Sequence, residues 1–239
     1  MVIQVFVALC LALTCNAMHQ TTICMITATR PGGVSYLSRV VEAYSDQHVY
    51  HMDGVGLVII DTDGGTRDAQ TKGVVLQERR LAVCDIPDIE GLPSCRVRQR
   101  TLDVSAALAK CQSITTGWVV LVEDDCHPCP NALSELIPTL ATLTAQETAM
   151  AKFSRNMCAT AFPVTRVEAY ITASMGRLYT HPHDIIYADA WASGTARVYT
   201  HNRNLFHHIG NISTEPHKNA PVWQNEYGAL RADSCGDLL

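Results

Sequence analysis

A short apolar run that ends in three consecutive carboxylates constrains this chain more than any other feature. Residues 118–122 (Trp-Val-Val-Leu-Val) are followed directly by Glu123, Asp124 and Asp125. A run of this kind is typical of a strand buried on both faces of a parallel sheet. Adjacent carboxylates repel one another unless a cation neutralises them, and open α/β sheets bind ligands beyond the carboxyl ends of their strands. The stretch therefore predicts either a divalent-metal site at a strand end or a solvated acidic turn.

The composition is that of a globular protein without a basic surface. Of its 239 residues, 47% are hydrophobic and 17% are charged. This balance excludes a disordered chain, and the length suits one α/β domain. The net charge of -5 gives no reason to expect binding to nucleic acid. We therefore expect no nucleic-acid partner.

The first 17 residues predict a secretory signal peptide. Residues 2–13 are apolar except for Gln4, and Cys15 and Ala17 place small residues at the -3 and -1 positions of a cleavage site. The apolar stretch is too short to cross a bilayer comfortably, and we expect no other transmembrane span. A buried first strand or helix is the alternative, and an uncleaved anchor is a third. We expect a protein of the secretory pathway, in the Golgi or endoplasmic reticulum lumen or secreted.

The cysteine content agrees with that compartment. Beyond the signal, eight cysteines remain: Cys24, Cys84, Cys95, Cys111, Cys126, Cys129, Cys158 and Cys235. An even number predicts disulfides, although the pairing cannot be read from sequence. Cys126 and Cys129 form a CxxC without a second CxxC to complete a zinc site. We therefore expect a structural disulfide that holds the loop after the acids.

Strands and helices alternate along the chain. Strands are expected at 22–28, 55–60, 118–122, 197–200 and at either 74–77 or 81–84. Helices are expected at 35–44, at 101–111 after three arginines (Arg96, Arg98 and Arg100), and at 131–143 despite Pro138. Residues 166–173 fit a strand or a helix equally well. This order predicts an α/β sandwich with a mainly parallel central sheet.

Polar residues follow two of the other predicted strands. Arg30 comes after the first and can meet an anionic ligand, or it is an ordinary surface arginine. Asp61 and Asp63 follow the second, before two glycines. They can accept hydrogen bonds from a ribose or a base, or they can simply form a turn. Six of the ten histidines lie at position 181 or later, so that region can supply metal ligands or proton carriers.

Four motifs in the same order resemble a known group of enzymes. Residues 119–125 (VVLVEDD) resemble the variant DxD motif of nucleotide-sugar glycosyltransferases with the GT-A fold. Residues 100–104 (RTLDV), 205–210 (LFHHIG) and 26–30 (ITATR) resemble segments of two related families. These are the GPI N-acetylgalactosamine transferase family and the N-glycan β-1,4-N-acetylglucosaminyltransferase IV family. The resemblance covers roughly residues 22–215.

The resemblance implies a fold and an activity. The fold would be a GT-A (Rossmann-like) sandwich with a single domain over residues 18–239. The activity would be inverting transfer of a HexNAc (GalNAc or GlcNAc) from a UDP-sugar to a glycan or glycolipid acceptor, such as GPI-anchor mannose or an N-glycan. Mn²⁺ or another divalent cation would bridge the diphosphate. The transmembrane segments of the first family and the further C-terminal domain of the second are not visible in this chain.

The motif match also implies roles for individual residues. Asp125 would be the main metal ligand, and His208 would reach the metal or the diphosphate. Glu123 would contact the ribose or a metal-bound water, and Asp124 would support both. Four further residues are expected to contact the nucleotide: Arg30, Asp61, Asp63 and Asp103.

Inversion requires a carboxylate base that deprotonates the acceptor hydroxyl. Asp184 is the best match, with Asp189 and Glu226 as alternatives, and a helix N-cap is the structural alternative for Asp184. Two other classes of protein remain open from the sequence. One is a metal-dependent phosphoester hydrolase, and the other is a non-catalytic, disulfide-rich secreted binding protein.

Overall fold

The computed structural model describes residues 18–28, 36–62, 74–77, 95–154, 157–178, 197–209 and 235. Four α-helices are present in these ranges, α1 (Leu37–Asp46), α2 (Cys95–Gln112), α3 (Ala132–Thr142) and α4 (Val164–Gly176), and a 3-10 helix spans Val49–His51. The strands are β1 (His19–Thr27), β2 (Val55–Asp61), β3 (Val74–Gln77), β4 (Thr115–Glu123), β5 (Cys126–Pro128), β6 (Thr148–Lys152), β7 (Ala159–Pro163), β8 (Arg197–Thr200) and β9 (Phe206–His208).

Seven of these strands form one mixed sheet in the order β3-β2-β1-β4-β7-β6-β8. The pairs β3–β2, β2–β1, β1–β4 and β6–β8 are parallel, and β7 runs antiparallel to both of its neighbours. β5 and β9 form a separate antiparallel ribbon. The mainly parallel α/β sandwich predicted from the sequence is confirmed.

Each face of the sheet has its own apolar core, because successive side chains of a strand point to opposite faces. In β1, Ile23 and Met25 pack with α1 and α3 on one face. Cys24 and Val119 pack with α2 and α4 on the other. Both cores rest on the same sheet, so the described residues form one domain.

Helix α2 begins earlier than the sequence predicts. It starts at Cys95 instead of residue 101, so Arg96, Arg98 and Arg100 lie inside its first two turns. Arginine is a strong helix former, and its charge hides the apolar spacing from which a helix start is read. Arg98 is only 1% exposed. The interpretation of these arginines as a segment before the helix is therefore wrong.

Two further differences lie downstream. The ambiguous segment 166–173 belongs to helix α4, which begins after Pro163. The strand predicted at 197–200 is present, and β5, β6, β7 and β9 are strands that the sequence patterns did not predict. A strand of three residues is too short to show a period-2 pattern. Among the described residues, no helix is both long enough and apolar enough to span a membrane.

Candidate metal and nucleotide site

The carboxyl ends of three neighbouring parallel strands bring the predicted acids to one edge of the sheet. Thr27 at the end of β1 is in register with Asp61 at the end of β2. On the other side of β1, Ile26 is in register with Glu123 at the end of β4. Asp61 is fully buried. This edge is where an open α/β sheet binds its ligands.

The three consecutive acids do not play the same structural part. The Asp124 Oδ2 atom accepts a hydrogen bond of 2.8 Å from the Thr27 hydroxyl. The Asp124 backbone N–H donates to the Ile26 carbonyl at 3.1 Å. Asp124 therefore joins the end of β4 to the end of β1.

The β5–β9 ribbon carries a histidine to the other two acids. Cys126 is in register with His208, and the Ile209 backbone N–H donates to the Asp125 carbonyl at 2.9 Å. The His208 Nε2 atom consequently lies 3.1 Å from Asp125 Oδ2 and 3.7 Å from Glu123 Oε2. The ribbon thus places the imidazole of His208 beside the acids at the end of β4.

Glu123, Asp125 and His208 have the geometry of a metal-binding group. One ligand atom from each residue lies within 4.8 Å of the other two. The Asp125 side chain is 5% exposed, whereas those of Glu123 and His208 are 34% and 31% exposed. Two carboxylates and one imidazole suit Mn²⁺ and similar divalent cations. We call these three residues the acidic cluster.

The protonation of His208 follows from its neighbours. Burial lowers its pKa, but the hydrogen bond to Asp125 and the nearby carboxylates of Asp125 and Glu123 outweigh burial and raise the pKa to about 10. At neutral pH the metal-free cluster therefore holds an imidazolium. A cation that binds through His208 must displace this proton.

Arg100 also lies at this edge of the sheet, although no sequence pattern predicted a role for it. Its guanidinium forms an ion pair with Glu123, and both side chains are about one-third exposed. The order of helix and strand in the sequence was sufficient to predict this contact. Helix α2 leads directly into β4, and in such a unit the start of the helix lies near the end of the strand. An arginine near the start of α2 was therefore available to the acids that follow β4.

Disulfides attach the acid loop to distant parts of the chain. Cys126, next to Asp125, is bonded to Cys158, and Cys129 is bonded to Cys235. The two cysteines of the CxxC thus belong to separate disulfides. A third disulfide joins Cys24 to Cys111 in the other core, and Cys95 is also disulfide-bonded.

The remaining predicted residues are placed in part. Asp103 lies almost one turn beyond Arg100 in α2, is 8% exposed, and accepts a hydrogen bond of 2.8 Å from the Gln99 side chain. The other predicted positions lie outside the described residues: Arg30, Asp63, Asp184, Asp189, Glu226 and the signal segment 1–17.

The chain is similar to several solved structures at low sequence identity. Neither a protein-family model nor a curated protein sequence matches this chain. The chain is similar to a solved mycobacterial protein, with 14% identity, a TM-score of 0.50, and coverage of 94% of this chain and 78% of that one. This similarity concerns the fold alone.

Two other solved structures are similar at a slightly lower TM-score of 0.49. One is glucosyl-3-phosphoglycerate synthase from Mycobacterium tuberculosis in complex with Mn²⁺, UDP-glucose and phosphoglyceric acid, with 14% identity and coverage of 94% of this chain and 83% of that one. The other is a glycosyltransferase involved in glycosylation of the major capsid of PBCV-1, with 12% identity and coverage of 83% and 96%.

Proposed function

We propose that this protein is a metal-dependent glycosyltransferase of the GT-A fold that uses a nucleotide-sugar donor. The observation that carries the proposal is the acidic cluster, whose ligand atoms lie within 4.8 Å of one another at the end of the central strand. The motifs that resemble GT-A enzymes meet in this cluster, because residues 119–125 supply its acids and residues 205–210 supply its histidine.

Each residue at this site would have its own part in binding the donor. A divalent cation held by Asp125, Glu123 and His208 would offset the negative charge of a departing diphosphate. Asp125 is the most buried of the three and therefore the least screened by water. Arg100 neutralises one oxygen of Glu123 and holds its side chain in place. Asp61, at the end of β2, would accept hydrogen bonds from the nucleoside.

The proposed donor, acceptor, catalytic base and compartment follow from the family resemblance. The donor would be UDP-GalNAc or UDP-GlcNAc, and the acceptor a GPI-anchor mannose or an N-glycan. Transfer would occur with inversion, with Asp184 as the base that takes the proton of the acceptor hydroxyl. The protein would act in the Golgi or endoplasmic reticulum lumen, or after secretion. The disulfides in both cores support an oxidising compartment.

A donor screen tests this proposal. The mature protein is incubated with Mn²⁺ and a panel of UDP-sugars, with each HexNAc sugar matched to its hexose counterpart, and UDP release is measured with and without a chelator. We expect release that needs Mn²⁺ and is fastest with a HexNAc donor. The absence of release from every donor, together with no UDP-dependent shift in melting temperature, would refute the transferase. Chelator-sensitive cleavage of simple phosphoesters instead would indicate a hydrolase.

A further inference from the structure

A second cluster of potential metal ligands lies on the same ribbon as His208. In β9 the side chains of His207 and His208 point to opposite sides, because successive residues of a strand alternate. The His207 Nδ1 atom lies 3.8 Å from Cys129 Sγ and 3.5 Å from Cys235 Sγ. The two sulfurs are joined in a disulfide.

These separations match those between ligands of a tetrahedral zinc ion. With Zn–S bonds of about 2.3 Å and Zn–N bonds of about 2.0–2.1 Å, a sulfur and a nitrogen lie about 3.6 Å apart across the tetrahedral angle. The two observed sulfur–nitrogen separations are already close to this value. Once the disulfide is reduced and the two sulfurs separate to about 3.8 Å, both can serve as thiolate ligands.

A candidate for the fourth donor lies on the paired strand of the ribbon, outside the group of three residues whose ligand atoms lie within 4.8 Å of one another. His127 in β5 is in register with His207, and the two ring centroids are 5.0 Å apart. Two imidazoles on one tetrahedral zinc ion place their ring centres about 5 Å apart. The Nδ1 atom of His127 lies 2.9 Å from the Pro128 carbonyl. In the tautomer that carries its proton on Nδ1, this nitrogen donates to the carbonyl, and Nε2 keeps a lone pair for a metal.

We propose that Cys129, Cys235, His207 and His127 form a redox-dependent zinc site. In the oxidised protein the two cysteines are a disulfide. A dithiol reductant, either a small molecule or a thioredoxin-type protein, transfers two electrons and two protons to this bond and becomes a disulfide itself. The two cysteine thiols then bind Zn²⁺ and release their two protons to solvent.

The accessibility of the disulfides indicates which one is reduced first. Cys235 is exposed. The four cysteines of the Cys24–Cys111 and Cys126–Cys158 disulfides are at most 3% exposed. A reductant in solution therefore reaches the Cys129–Cys235 disulfide before those two. The zinc site does not depend on the proposed glycosyltransferase activity, because it shares no ligand with the acidic cluster.

Cobalt binding tests the site, because Co²⁺ is a spectroscopic substitute for Zn²⁺ in thiolate sites. The full mature protein is treated with a dithiol under native conditions, and mass spectrometry after alkylation identifies the reduced cysteines. We expect Cys129 and Cys235 to be reduced before the cysteines of the Cys24–Cys111 and Cys126–Cys158 disulfides. The reduced protein then takes up a Co²⁺ ion with thiolate-to-cobalt charge-transfer absorption, which Zn²⁺ abolishes and the oxidised protein lacks.

Matched variants assign the ligands. His207→Ala is expected to weaken Co²⁺ binding at this site at least 10-fold, whereas His51→Ala, which changes an exposed histidine far from the ribbon in sequence, leaves it unchanged. Asp125→Asn also leaves the thiolate–cobalt absorption unchanged. The proposal is overturned if the reduced protein shows no such absorption, if His207→Ala leaves it intact, or if circular dichroism shows that reduction unfolds the chain.

Discussion

The two sides of the sheet contribute to the acidic cluster in different ways. The parallel half (β3, β2, β1 and β4) supplies Glu123 and Asp125 at the end of a strand whose apolar residues are buried on both faces. The ribbon half (β7, β6, β8 and the β5–β9 ribbon) supplies His208 from a strand of three residues. In the first half a continuous core positions the ligands. In the second, strand pairing and a disulfide position the ligand together with the buried side chain of Phe206.

This difference indicates which substitutions should change both stability and metal binding, and which should change metal binding alone. A change inside the parallel half acts on the whole fold, because β1 and β4 lie in the middle of the sheet and contribute to both cores. A change in the ribbon half can alter the distance between His208 and the acids while most of the core remains packed.

The largest effect is expected from Asp125→Asn. Loss of the most buried charged ligand should reduce Mn²⁺-dependent UDP release by at least about 100-fold, comparable to the removal of a preorganised catalytic group. Thr27→Val is the matched change in the parallel half. It removes the hydrogen bond to Asp124, so it should cost about 1–3 kcal/mol of stability and leave Mn²⁺ affinity nearly unchanged. Urea unfolding and manganese titration measure both quantities. Equal Mn²⁺ affinity in Asp125→Asn and wild type would contradict the assignment.

The second prediction compares one disulfide from each half. Cys126→Ser/Cys158→Ser and Cys24→Ser/Cys111→Ser should each lower the free energy of unfolding by about 2–5 kcal/mol. Only the first pair is expected to weaken Mn²⁺ binding, because Cys126 directly follows Asp125 and faces His208 across the ribbon. Equal Mn²⁺ affinity in the two double variants would show that the disulfide does not position the cluster.

The third prediction concerns pH. The pKa of His208 is raised from an ordinary 6.5 to about 10 in the folded, metal-free protein, so the folded state binds more protons than the unfolded state between these values. Its contribution to stability is therefore complete below about pH 6.5 and is lost as the pH rises to about 10. Denaturation with a chelator present should show this decline, and His208→Gln should flatten it. An equally steep decline in His208→Gln would assign the effect to another group.

The smallest effect is expected from the surface ion pairs. Arg100→Gln should change stability by at most about 1 kcal/mol, but it should weaken donor binding a few-fold because Glu123 loses its partner. Arg203→Gln is the control, because Arg203 pairs with Glu135 at similar exposure. It should alter stability to the same extent without changing the KM for the donor. A larger rise in KM for Arg203→Gln would place the donor elsewhere.

The sequence was informative where side-chain patterns are local. The apolar run before Glu123 predicted β4, and the break from apolar to acidic residues located the cluster. The start of α2 was placed too late, because three arginines within one and a half turns conceal an amphipathic pattern. Because the helix start was placed too late, the ion pair between Arg100 and Glu123 was not predicted.

The contribution of the ribbon half could not be derived from local patterns. His208 entered only through a family resemblance, since neither periodicity nor spacing connects a histidine in β9 to the end of β4. Its approach to Asp125 depends on pairing between two strands of three residues. The partners of Cys126 and Cys129 were equally inaccessible, because many pairings are compatible with the same cysteine count.

Calorimetric measurement of UDP binding with and without Mn²⁺ tests directly whether a metal-dependent nucleotide site lies at the end of β4. In the wild-type protein we predict that UDP binds with Mn²⁺ and at least about 10-fold more weakly when the cation is chelated. In Asp125→Asn we predict that addition of Mn²⁺ no longer strengthens UDP binding. UDP binding of equal strength under all of these conditions would contradict a metal-dependent nucleotide site at the end of β4.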